Sequence, residues 1–192
     1  MTTDIIYRYK NQVYFNITNK CPCRCTFCIR NTEDAIGEAS NLWFDHEPSL
    51  EEIYKAIDEF DFTDCNEVVF CGYGEPTMAL ENLIEVSKYV RARYPFKIRL
   101  NTNGLSDLIH NRSTAKDVCQ AVDSVSISLN MPDAASYNDC HPLSHDAGYT
   151  PMRPPASIVW QSPAAAPPAQ GQCASPDILS VPAEAAVRPA PV

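Results

Sequence analysis

Hydrophobic positions along the first three quarters of the chain follow two periods, and the switches between them mark out the elements. Val13-Tyr14-Phe15-Asn16-Ile17 is rich in β-branched and aromatic residues and predicts a strand running into a cysteine-dense loop. Ser49 followed three residues later by Glu52 is a capping box, and Leu50, Ile53, Tyr54 and Ile57 then share one face of a helix. Glu67 to Cys71 is a short apolar strand closed by Gly72-Tyr73-Gly74-Glu75-Pro76. Leu80, Leu83, Ile84, Val86 and Val90 form a helical stripe within about Met78 to Arg93, ending before Pro95. Lys97 to Leu100 begins a third strand that breaks at Asn101-Thr102-Asn103-Gly104. Leu105 to Gln120 is weakly helical, and Ser124 to Asn130 supplies a fourth strand.

The order βαβαβαβ predicts an α/β fold with a parallel sheet and right-handed crossovers, whose ligands bind at the carboxyl ends of the strands. Each strand ends in polar or special residues: the cysteines, Gly72 to Pro76, Asn101 to Gly104, and Ser128 with Asn130. The pattern stops near Pro142. From Leu143 to Val192 there are ten prolines, five charged residues and no lysine, without a period of 2 or 3.6. Such a segment buries too little to offset an ordering cost of roughly 1–2 kcal/mol per residue. The expected organisation is a core over 1–142 and a disordered Pro/Ala-rich tail over 143–192. The abruptness of the change resembles a shifted reading frame or a truncated gene.

Composition narrows the function classes. The net charge of −9 comes with dispersed lysines and arginines, so the basic stripe of a nucleic-acid binder is missing. No run of about 18 apolar residues is present, and Met1 to Lys10 lacks an apolar signal core, so the expected location is the cytoplasm, away from membranes. In a reducing compartment nine cysteines suggest metal ligation or buried thiols rather than disulfides.

Four of the nine, Cys21, Cys23, Cys25 and Cys28, fall within eight residues. Cys-x3-Cys-x2-Cys from Cys21, Cys25 and Cys28 supplies three soft thiolates from one loop, enough for a [4Fe–4S] cluster with one iron left open. Cys23, beside Pro22 inside the loop, is read as a bystander. Structural zinc and a closed four-thiol electron-transfer cluster using Cys23 or Cys71 are the alternatives, although zinc lacks a second Cys/His pair downstream. His46, His110, His141 and His145 are not at mutual ligand spacing and receive no role. Asn101 to Gly104 reads equally as a turn and as part of a site. The acidic run from Glu47 to Glu59 reads as the solvated face of the first helix.

Asn16 to Cys28, with Phe27 directly before the third cysteine, resembles the cluster motif of the radical S-adenosylmethionine (SAM) superfamily. Gly74-Glu75-Pro76 resembles the segment whose backbone receives the SAM amino group in that superfamily. The resemblance implies that Cys21, Cys25 and Cys28 bind the cluster and that Phe27 lies toward adenine. It places SAM among Gly72, Gly74, Glu75, Pro76 and Asn103, with Ser126, Ser128 or Asn130 near its ribose or carboxylate. Glu75 is read as bracing the Gly74 backbone rather than as a base.

The run from Ile5 through Asn31, with Asn101 to Leu108 and Ser126 to Asn130, further resembles radical SAM proteins associated with TatD-type nucleases. The likeness spans about residues 4–142. It implies an electron donor such as flavodoxin or ferredoxin, and a substrate linked to such a nuclease. Glycyl-radical activating enzymes and deazapurine synthases share the first two motifs. The family usually builds a partial barrel of six βα units, and four are expected here. The alternative to an enzyme is therefore a truncated iron–sulfur-binding protein without catalysis.

Overall fold

The computed structural model describes residues 3–128 and the short segment Leu179–Pro182. The expected parallel strands are present as β2 (Gln12–Phe15), β3 (Glu67–Phe70), β4 (Lys97–Thr102) and β5 (Ser124–Ile127), hydrogen-bonded in sequence order. This is the strand order of a partial (βα) barrel. Between them lie α1 (Leu50–Glu59), α2 (Leu80–Arg93), and the pair α3 (Ser106–His110) and α4 (Ala115–Ala121).

Two elements differ from the sequence reading near the ends of the sheet. A first strand, β1 (Ile6–Tyr9), pairs antiparallel with β2 through a two-residue turn in which Lys10 takes a left-handed φ of 55°. The Glu38 N–H donates to the Arg8 carbonyl at 2.9 Å, covering part of this edge. At the other side Leu179–Pro182 forms β6, antiparallel to β5. This pairing covers the edge that β5 would otherwise leave open. Leu129, Asn130 and the rest of the tail lie outside the described residues.

The helices form where the sequence pattern places them. Ser49 Oγ accepts from Glu52 N at 3.2 Å while Glu52 Oε2 accepts from Ser49 N at 2.8 Å, the reciprocal pair of a capping box. The segment after Gly74 starts as a 3-10 turn over Pro76–Ala79 before α2 begins. The single weak helix expected over 105–120 is split because Asn111 adopts φ 50°, and Asp107 Oδ1 accepts from Thr114 N at 2.8 Å in the gap.

The period of two decides the two faces of the sheet. Val13, Phe15, Val68, Phe70, Ile98, Leu100 and Val125 pack with Ile53, Ile57, Leu83, Val86, Val90 and Val118 into the main core between sheet and helices. The opposite face is more polar. There Gln12 Nε2 donates to Glu67 Oε2 at 3.0 Å, and Arg99 reaches Glu67 at 3.1 Å and Gln12 at 3.0 Å. This network occupies the amino-terminal end of the parallel strands, leaving their carboxyl ends to the cysteine loop.

Candidate metal and cofactor site

The cysteine loop leaves β2 through Asn16, Ile17 and Thr18, all buried. Asn16 Nδ2 donates to the Leu42 carbonyl at 2.8 Å, and its Oδ1 accepts from Tyr73 N at 3.3 Å. A Cβ on Gly72 would stand 2.1 Å from that Oδ1, so the glycine is demanded by the close approach. Gly74 is packed as tightly, its absent Cβ falling 2.2 Å from Thr18 O and 2.7 Å from Lys20 O. Glu75 N donates to Lys20 O at 2.8 Å. The segment Gly72 to Pro76 is therefore pressed against the start of the cysteine loop.

Glu75 extends this contact to the end of β4. Its carboxylate is buried and accepts from Thr77 N (3.1 Å), Thr77 Oγ1 (2.7 Å), Thr102 Oγ1 (2.6 Å) and Asn103 N (2.8 Å). Burial raises its pKa against the pull of these donors. The side chain thus braces the 3-10 turn and the β4 terminus rather than the Gly74 backbone. Asn103 Oδ1 accepts from Leu105 N at 3.0 Å, which fixes the amide so that Nδ2 points to Cys23 Sγ at 3.7 Å.

Cys23, read as a bystander, is 2 % exposed and hydrogen-bonds through its thiol to Cys21 and Cys25. Its contacts with the two flanking thiols, and burial, raise the Cys23 pKa, while the same contacts lower those of Cys21 and Cys25, against burial. Burial raises Cys28. Cys28 N donates to Cys25 O at 3.2 Å, and the turn Ile29–Asn31 follows, with Asn31 Nδ2 on Cys25 O at 3.2 Å. Among the described residues no three His, Cys, Asp or Glu side chains converge as ligands of a single ion. The donor set nevertheless fits an iron–sulfur cluster in kind: soft thiols in one half-buried loop beside a cation, with a tightly packed backbone wall at Gly74.

The remaining sequence candidates divide. Ser128 N donates to Thr102 O at 3.0 Å, and Ser126 is buried on β5 opposite Asn101, so both stand beside the β4 terminus. Phe27 is 43 % exposed on the loop surface. Asn130 lies outside the described residues. His110 Nε2 lies 2.7 Å from Thr77 O and so supports the turn that Glu75 braces.

Two contributors were missed, and a third was only partly read. Glu47, counted with the solvated acidic run, precedes α1, and its carboxylate accepts from Thr18 Oγ1 and from Asn19 N at 3.1 Å. Arg30 donates to carbonyls of the cysteine loop and of the loop after β3. The Oδ1 of Asn101, in the segment read equally as a turn and as part of a site, is buried on the polar face without a hydrogen-bond partner, a detail the sequence did not show. Arg30 carries a local cue, a cation two residues after a ligand-type cysteine; for Glu47 no local pattern points to the role.

A family model described as the radical SAM superfamily matches residues 15–149, more than half of the chain. No curated protein and no solved structure matches it. No helix among the described residues is long and apolar enough to cross a membrane.

Proposed function

Because the chain belongs to the radical SAM superfamily, we propose that Cys21, Cys25 and Cys28 hold a [4Fe–4S] cluster and that SAM binds beside it. The observation that carries the reading is the backbone and side-chain tie from Lys20 through Glu75 to Asn103, which gathers three strand ends around the cysteine loop. Cys21, Cys25 and Cys28 would hold the cluster, which would supply the one-electron reduction by which this superfamily cleaves SAM to generate a carbon radical.

The chain's own residues orient and enclose. Gly72 and Gly74 keep side chains out of the space where backbone must approach backbone, leaving the Gly74 segment as the surface that would receive the SAM amino group. Glu75 and Asn103 hold the β4 end at the cysteines. Phe27, Pro76, Ser126 and Ser128 are the proposed contacts to adenine, ribose and carboxylate, with Asn130 a further one by resemblance. The donor of the electron is proposed to be a flavodoxin or ferredoxin, the compartment the cytoplasm, and the substrate one linked to a TatD-type nuclease.

The deciding experiment is 5′-deoxyadenosine formation from SAM by the anaerobically reconstituted, dithionite-reduced chain, with Cys25→Ala as control. Formation that depends on Cys25 supports the proposal. The second reading, an iron–sulfur-binding protein without turnover, draws on the four parallel strands among the described residues. A bound cluster without product would favour it, and zinc in place of iron would overturn both.

A further inference from the structure

One cation stitches the cysteine loop to the rest of the site. Arg30, half-buried in the turn Ile29–Asn31, donates from Nη2 to Cys23 O at 3.1 Å, and from Nη1 to Asn19 O at 3.5 Å and Tyr73 O at 3.4 Å. The three carbonyls come from the approach to the first cysteine, the middle of the cysteine loop, and the loop after β3. A planar guanidinium can serve several carbonyls in fixed directions, whereas an ammonium is a point charge on a flexible stem. The Nη2 contact on Cys23 O sets the guanidinium against the middle of the cysteine loop, between Cys21 and Cys25 in the chain.

Resting on the reading of these three cysteines as cluster ligands, we propose that Arg30 is a positioning residue for the cluster, clamping the cysteine loop to the β3 loop and supplying a fixed positive charge that makes the centre easier to reduce. One-electron reduction adds negative charge to a site whose thiolates are already negative. A cation held in half-buried surroundings stabilises that added charge more than bulk water would. Charge near the sulfurs and their hydrogen bonding are among the levers that set the potential of such clusters. No bond to Arg30 forms or breaks, and the electron comes from the external reductant.

The test is a potentiometric titration of the full chain, reconstituted without air and followed by the electron paramagnetic resonance signal of the reduced cluster. Wild type is compared with Arg30→Gln and Arg30→Lys. The expected result is a cluster in Arg30→Gln that is at least tenfold less reduced at equal poise, a shift of about 59 mV to more negative potential for one electron. Arg30→Lys should keep the wild-type potential but lose iron to a chelator faster, since it lacks the fork. A wild-type potential in Arg30→Gln, or an equal fall in both variants, overturns the proposal. Should Arg30→Gln take up no iron, the neutral Arg30→Met is read in its place: a tenfold fall supports the charge role and a wild-type potential refutes it. Failure of the cluster reading is separate, because the wild-type chain would then assemble no cluster before any variant is compared.

Discussion

Replacing Glu75 by glutamine keeps its size and removes only its ability to accept on both sides. In the native chain Oε1 receives Thr77 N, Thr77 Oγ1 and Thr102 Oγ1, and Oε2 receives Asn103 N. A glutamine that keeps its oxygen on the threonines turns an NH2 toward the Asn103 N–H. The flipped amide accepts from Asn103 N, and both hydroxyls can rotate to accept from its NH2, but the buried Thr77 N–H is left facing a donor. Either orientation strands one backbone donor, at about 1–3 kcal/mol. Thr102→Val deletes one donor to Glu75 and the Oγ1 that accepts from Gly104 N at 3.1 Å, but Gly104 is exposed and water can replace that partner, so the loss is expected near about 1 kcal/mol.

The assay is urea unfolding of the cluster-free chain, read by far-UV circular dichroism and by fluorescence. Trp43, whose ring lies 5.1 Å from Tyr73, contributes a signal close to the site. A lowered midpoint at unchanged slope marks a stability loss. A Glu75→Gln chain that unfolds at the wild-type midpoint would refute the account of Glu75 as the brace between the strand ends.

Two further outcomes follow from contacts elsewhere. Gly74→Ala places a Cβ 2.2 Å from Thr18 O and 2.7 Å from Lys20 O, both backbone atoms, so the cysteine loop must shift; the expected loss is about 1–3 kcal/mol with reduced iron uptake, measured by urea unfolding and iron quantitation, and unchanged values would contradict the packing argument. Burial pushes the Asp123 carboxyl up, but the Ile98 N–H at 2.8 Å and Arg91 at 3.2 Å hold it below the ordinary 3.8. Since the folded value is the lower one, its contribution is present above that pH and lost as pH falls through it. The stability gap between wild type and Asp123→Asn should therefore close on acidification below 3.8, and a gap that widens there would reverse the sign.

Local pattern carried much of the architecture. The capping box at Ser49 and Glu52, the stripe from Leu80 to Val90 and the strands at Glu67 and Lys97 formed as expected, because each depends on neighbours within a few residues. The first hairpin was missed: Lys10 and Asn11 lack the glycine that usually announces a two-residue turn, although Ile5 to Tyr9 carries the aromatic and β-branched content of a strand. Helix 105–120 broke at Asn111 for a local reason, the left-handed tolerance of asparagine, hidden within an already weak pattern.

At the site the cysteine spacing and the Gly-Glu-Pro segment stand out in the chain as local patterns, each a set of residue types at a fixed interval. The partners of those residues were not. Glu75 meets Thr102 across 27 positions, Arg30 meets Tyr73 across 43, and Asn103 meets Cys23 across 80. The folding of four strands side by side brings these groups to one end, and no period along the chain encodes which donor then faces which acceptor. Cys23 shows the same division: its place in the loop is written in the chain, while its burial between two thiols and an amide depends on Asn103 arriving from β4.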